Sequence, residues 1–163
     1  MNKEGNIEIS VVKIREPDIT VIAMYRPPNG DINIFLNNFN TLLEDSPCNN
    51  MIIVGDFNID LGEPSDPTQV RYKRDFSNLI RKNKLNITIQ TPTRITNRST
   101  STIDNILFKG MIFTEFVARN FETGISDHLA QEIVIDYGKN KQAKSRQDFT
   151  YKRKFSEINI SIF

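Results

Sequence analysis

Tryptophan is absent from these 163 residues, and cysteine and histidine occur once each, as Cys48 and His128. A lone cysteine excludes an intramolecular disulfide, so there is no disulfide partner. The chain reads as made for a reducing intracellular setting, nucleus or cytoplasm, and not for secretion. Cys48 itself reads as buried or idle. No run of about 18 apolar residues occurs, and Met1 to Asn6 lead into a strand pattern instead of a signal-peptide core, so no membrane partner is expected. Repeats, coiled-coil heptads and low-complexity blocks are also missing. Without tryptophan, aromatic packing falls to 11 Phe and 4 Tyr.

What is present is ordinary soluble composition, 38% hydrophobic and 25% charged, enough for one globular domain with its own core. The net charge of +1 conceals an asymmetry: residues 1–137 carry 14 Lys/Arg against 18 Asp/Glu, and residues 138–163 carry 7 against 2. The first segment reads as the domain. The second reads as a basic, linker-like tail, which also has the charge to add non-specific nucleic-acid affinity by counterion release.

The stretch Met51-Ile52-Ile53-Val54-Gly55-Asp56-Phe57-Asn58 organises the rest. Four apolar residues predict a short strand buried on both faces, and Gly55 is expected to let the backbone turn where a side chain would not fit. Asp56 and Asn58, two apart, then emerge together at the carboxyl end of a core strand, where open α/β sheets keep their chemistry. Upstream, Ile7 to Val11 and Asp18 to Met24 predict a hairpin around Glu16-Pro17-Asp18, and Tyr25-Arg26-Pro27-Pro28-Asn29-Gly30 hands a tyrosine and an asparagine to a rigid loop. With Asp31 as N-cap, Phe35, Leu36, Phe39, Leu42 and Leu43 predict an amphipathic helix to about Glu44, with Pro47 beyond its end. Ile59 to Thr68 reads as an excursion over the active face. A second amphipathic helix is predicted over Val70 to Asn83, and strands over Leu85 to Gln90, Thr102 to Phe108, Met111 to Ala118 and Ala130 to Tyr137. Strands alternating with two helices indicate an α/β fold.

Asp104 would share a strand face with the apolar Ile106 and Phe108, where an unpartnered carboxylate costs several kcal/mol. It either accepts hydrogen bonds within a site or lies at a frayed edge, the first being preferred. Asp56, Asn58, Asp104, Asp127 and His128 form an inventory suited to phosphodiester hydrolysis: carboxylates to orient water, a carboxamide for a phosphoryl oxygen, oxygen donors for a hard cation, and an imidazole for proton exchange. These residues are expected to converge with Tyr25 on one face of the fold.

In this order the motifs Tyr25-Arg26-Pro27-Pro28-Asn29, Gly55-Asp56-Phe57-Asn58, Ser101-Thr102-Ile103-Asp104-Asn105-Ile106-Leu107 and Ser126-Asp127-His128 resemble those of the endonuclease/exonuclease/phosphatase superfamily. The wording of the first two resembles its non-LTR retrotransposon branch. The resemblance implies a deoxyribonuclease I-like, two-sheet, four-layer α/β sandwich and Mg²⁺-dependent cleavage of DNA, with Mn²⁺ as substitute. Asp56 would orient or activate water and Asn58 would contact the scissile phosphate, as would Tyr25. Asp127 would serve the metal, His128 would bind a phosphoryl oxygen or transfer a proton, and Asp104 would pair with His128. Asn29 and Thr91 or Thr93 are further substrate contacts on the same footing. Tyr151 to Ser156 resembles the linker to a reverse transcriptase, a partner in the parent protein. The resemblance covers about residues 7–137, the later part of the family domain. The family's opening asparagine-bearing strand and metal-binding glutamate have no counterpart here, and neither Glu4 nor Glu8 is assigned to the glutamate. One sheet is therefore expected to be incomplete, apolar surface exposed, and activity weak or absent in this chain. The alternatives are a non-catalytic mobile-element fragment that at most binds nucleic acid, and an inositol-phosphate phosphatase.

Overall fold

The computed structural model describes residues 5–46, 48–110 and 115–136. Pro47, the first part of the strand expected from Met111, and the tail beyond 137 lie outside the described residues.

The chain opens with the expected hairpin, β1 (Glu8–Ile14) antiparallel to β2 (Ile19–Tyr25), with Val11 opposite Ile22. β1 is exposed along its length, including Val11 and Val12, so the expected uncovered apolar surface is seen on this edge strand. Helix α1 (Ile32–Asp45) begins where Asp31 accepts from the amides of Asn33 and Ile34 at 2.8 and 3.2 Å, a cap worth about 1 kcal/mol. β3 (Met51–Asp56) returns parallel to β2. Helix α2 (Pro67–Lys82) starts a turn earlier than its apolar period predicts, because Asp66 caps it and Pro67 suits its first turn. There follow β4 (Asn86–Ile87), the short hairpin β5 (Arg94–Ile95) with β6 (Thr100–Ser101), then β7 (Asp104–Lys109), β8 (Glu115–Phe121) and β9 (Ala130–Asp136). The main sheet has the order β1-β2-β3-β7-β4, and β8 pairs with β9 in a separate ribbon.

Both helices cover one face of the main sheet. Phe35, Phe39, Phe57 and Phe76 interlock there with ring centroids 5.1–6.5 Å apart, over Ile22, Met24, Met51, Ile53 and Leu107. Half-buried Cys48 packs against this cluster. The opposite face carries Ile19 and Phe108 against Ile133 and Ile135 of β9, with Phe116 edge-on to Phe108 at 4.9 Å. The described residues thus supply helices, main sheet and second ribbon, three of the four expected layers. Among them no helix is long and apolar enough to cross a membrane.

Two local readings change. The strand expected over Leu85 to Gln90 shrinks to Asn86–Ile87: the Thr88 amide still donates to the Ile106 carbonyl at 3.2 Å, and at Ile89 the side chain of Asn105, fully buried on β7, takes the place of backbone. Its Oδ1 accepts from the amides of Thr88 and Ile89 at 3.3 and 3.2 Å, and its Nδ2 donates to the Ile89 carbonyl at 2.7 Å. Gly55, expected at the turn, lies inside β3 opposite Met24 and Asn105, and the turn falls at Asn58, whose φ is 48°. What Gly55 permits is close approach: a Cβ there would sit 1.7 Å from the Met24 carbonyl oxygen. Backbone cannot give way as a side chain tip can, so Gly55→Ala must part β2 from β3. It is expected to lower stability by about 3 kcal/mol or more, read as the midpoint of urea unfolding. An unchanged midpoint would show that the strands yield freely.

Candidate active site

Sheet register brings the first three groups together. Asp56 ends β3 directly opposite Asp104 at the start of β7, and on its other side Asp56 is in register with Tyr25 at the end of β2. Directly opposed residues of antiparallel strands project to the same face, so the two carboxylates are neighbours. Below them the chain alternates: Asp56 projects to the site, Phe57 is buried in the aromatic cluster, and Asn58 returns to the site. The Asp56 carboxylate accepts from the Asn58 amide at 2.9 Å and from Asn58 Nδ2 at 3.2 Å. Asn58 Nδ2 also donates to the Arg26 carbonyl at 2.8 Å, which settles which end of the carboxamide is nitrogen.

His128 arrives from a distant loop. The Leu129 amide donates to the Thr93 carbonyl at 2.7 Å, the Ile95 amide to the Asp127 carbonyl at 2.9 Å, and Arg94 bridges to His128, so residues 127–129 are laced to 93–95. This sets His128 Nδ1 at 3.0 and 3.2 Å from the two oxygens of Asp104. An ionised carboxylate only accepts, so Nδ1 carries the hydrogen and Nε2 is left for chemistry. Thr93 completes the pair: its hydroxyl accepts from the amides of Ile103 and Asp104 at 3.1 and 3.0 Å and donates to Asp104 Oδ2 at 2.7 Å. Asp104 is therefore partnered by hydrogen bonds on both carboxylate oxygens and does not lie at a frayed edge.

Electrostatics follow from this crowding. Burial is the main cause that raises the pKa of Asp56, with like charge from Asp104 adding to it; the Asn58 amide, His128 and Arg94 oppose. Asp127 is pushed down, chiefly by its hydrogen bond from Arg94. For Asp56 the raised folded value means that its proton is bound more tightly in the native state. Its contribution to stability is present below the ordinary carboxylate value of 3.8 and lost as pH rises through the folded value. The stability of the native protein relative to Asp56→Asn is therefore expected to fall as pH rises from 3.8 through the folded value, measured by paired denaturant melts. A flat difference across that range would contradict the assignment.

One oxygen or nitrogen from each of Asp56, Asp104 and His128 lies within 4.8 Å of the others, a set able to hold a cation. Asp127, the expected metal residue, stands outside that set, its carboxylate 2.7 Å from Arg94 Nε. Of the expected substrate contacts, Asn29 is exposed on the turn after Arg26. Exposed Thr91 accepts from Asn120 Nδ2 at 3.0 Å, and Thr93 is fully buried behind Asp104. Tyr25 is 39% exposed at the rim. Sequence reasoning passed over Arg26, Arg94 and Asn105. Arg94 carried no periodic signal, and Arg26 and Asn105 sat unremarked inside motifs chosen for their neighbours.

Residues 19–132 match the family described as endonuclease-reverse transcriptase. Among solved structures, the chain is similar to the endonuclease domain of TRAS1, a telomere-specific non-LTR retrotransposon, with a TM-score of 0.65 and 21% identity over 82% of this chain and 63% of that one. The 3′ phosphatase NExo from Neisseria, in a variant bound to product DNA hairpin, gives 0.60 and 16% over 79% and 65%. An endonuclease/exonuclease/phosphatase family protein from Leptotrichia buccalis gives 0.57 and 17% over 80% and 54%. The fold is thus deoxyribonuclease I-like, and the chain spans less than two thirds of each of these structures. No curated protein matches the chain.

Proposed function

The chain belongs to the endonuclease-reverse transcriptase family, and from that premise we propose that it carries the cleaving face of a retrotransposon-type endonuclease that hydrolyses phosphodiester bonds in DNA with Mg²⁺, or Mn²⁺ in its place. The observation that carries this reading is the Thr93–Asp104–His128 relay set across one strand pair from Asp56. A carboxylate raised in pKa, a neighbour to an imidazole with a free Nε2, is an arrangement for moving protons at a reacting centre.

In this reading Asp56 orients the attacking water and takes its proton, and Asn58 holds Asp56 in place. His128 Nε2 addresses a phosphoryl oxygen or returns a proton, while Asp104 keeps its ring in the tautomer that allows this. Tyr25 and Asn29, at the rim, are placed for the flanking phosphates. The donors present fit a divalent cation: the carboxylates of Asp56 and Asp104 would hold Mg²⁺, or Mn²⁺ in its place, with His128 Nε2 kept for the phosphoryl oxygen. When bound, such an ion neutralises charge that builds on the phosphoryl group. Two carboxylates, one already committed to Thr93 and His128, form a modest site, so the 163-residue chain is expected to nick weakly or not at all. The basic tail from residue 138 is assigned as the linker toward a reverse transcriptase.

The test is nicking of supercoiled plasmid with Mg²⁺ or Mn²⁺ and with chelator, by this chain and by a longer protein that carries it. Metal-dependent nicking by the longer protein is the expected result. Its absence there, or nicking indifferent to chelator, would overturn the reading in favour of a fragment that only binds nucleic acid.

A further inference from the structure

We propose that Arg26 is the positioning residue for the Asp56–Asn58 turn, a role that rests on Asp56 being the group that handles the attacking water. Arg26 is 2% exposed, yet no carboxylate lies in ion-pair distance of it among the described residues. A buried guanidinium without a carboxylate must be justified by its hydrogen bonds. Those bonds go to backbone: Nη1 donates to the carbonyls of Phe57 and Asn58 at 3.4 and 3.1 Å, and Nη2 to that of Gly30 at 2.8 Å. The backbone of Arg26 is engaged with the same turn, since its amide donates to the Asp56 carbonyl at 2.9 Å and its carbonyl accepts from Asn58 Nδ2 at 2.8 Å. One residue thus holds residues 56, 57 and 58 at four atoms.

The turn needs such a hold. Asn58 sits at φ 48°, a conformation that costs a side-chain-bearing residue energy unless its surroundings impose it. Asn58 in turn donates twice to the Asp56 carboxylate. The orientation of Asp56 is therefore set by Asn58, and that of Asn58 by Arg26. The guanidinium is wedged with its carbon 5.9 Å from the ring centroids of both Phe35 of α1 and Tyr72 of α2, which fixes the turn relative to both helices. A lysine keeps the charge but lacks the planar fork, and cannot reach three carbonyls in two directions.

The decisive variant is Arg26→Lys, with Arg26→Met as a second in case one fails to fold. Two readouts are taken. The first needs no activity: the backbone and side-chain amide resonances of Asn58 in the 163-residue chain, which are expected to shift and broaden while the melting temperature of Arg26→Lys stays within a few degrees of native. The second is nicking by the longer protein, where kcat is expected to fall by about tenfold or more with KM for DNA within about twofold. Unmoved Asn58 resonances with native kcat would overturn the proposal. So would a loss of activity matched by an equal loss of folded protein, which would make Arg26 a stabilising residue only. If Asp56→Ala in parallel leaves nicking unchanged, the functional reading fails instead, and the Asn58 resonances still decide whether Arg26 sets the turn.

Discussion

Asp56→Ala is expected to lower metal-dependent nicking by at least about a thousandfold, a barrier increase of roughly 4 kcal/mol. Asp56 has no substitute at its position: Asp104, its partner across the strands, is occupied by Thr93 and His128, and Asp127 by Arg94. The fold should survive, because Asp56 ends its strand and burial already disfavours its charged form, so removing the carboxylate relieves a cost while forfeiting two bonds from Asn58. Circular dichroism and the thermal melt provide that control. His128→Ala is expected to act similarly, since no second imidazole exists to take over at Nε2. Full nicking by either folded variant would remove the site from consideration.

Asp104→Asn probes a subtler dependence and is expected to cost about a hundred- to ten-thousandfold in kcat. The Thr93 hydroxyl accepts from two backbone amides, so its one hydrogen must point at residue 104. In the variant the carboxamide oxygen therefore takes the place of Oδ2, toward Thr93 and 3.0 Å from His128 Nδ1, and the NH₂ takes that of Oδ1, 3.2 Å from the same nitrogen. The NH₂ group can only donate, so it opposes a hydrogen on Nδ1, and the neutral oxygen beside it holds that hydrogen less strongly than the carboxylate did; the ring is expected to shift toward the tautomer with the hydrogen on Nε2, the wrong one for taking a proton there. The geometry of the site barely changes. Nitrogen-15 shifts of the His128 ring should report a larger share of the hydrogen on Nε2, and plasmid nicking should fall in step. A tautomer change without loss of activity would show that His128 acts only as a hydrogen-bond donor to the phosphoryl group.

Elements governed by local rules were legible in the chain alone. Asp31 before the Phe35–Phe39–Leu43 stripe predicted α1 to within a residue, the apolar run at Met51 predicted β3, and Glu16-Pro17-Asp18 marked the hairpin turn, because caps, periodicity and turn chemistry act over a few residues. Asp66-Pro67 obeys the same rules, as an N-cap followed by a first-turn proline, within a stretch whose Asp, Gly and Pro content reads as loop. The motifs around Tyr25, Asp56, Asp104 and His128 were recognisable in order, and with them the family and its fold.

What only tertiary structure decided is which partner each polar group has. Asn105 takes the place of backbone at Ile89 with its side chain, Thr93 turns from a possible substrate contact into the holder of Asp104, and Asp127 is paired with Arg94, 33 residues away. The same holds for Gly55, whose necessity comes from a carbonyl on the neighbouring strand and not from its own turn. It holds most for Arg26, whose buried place depends on carbonyls 31 and 32 positions away. Local propensity is written in neighbouring residues, whereas the cost of a buried donor is met by whichever acceptor the sheet register brings within about 3 Å.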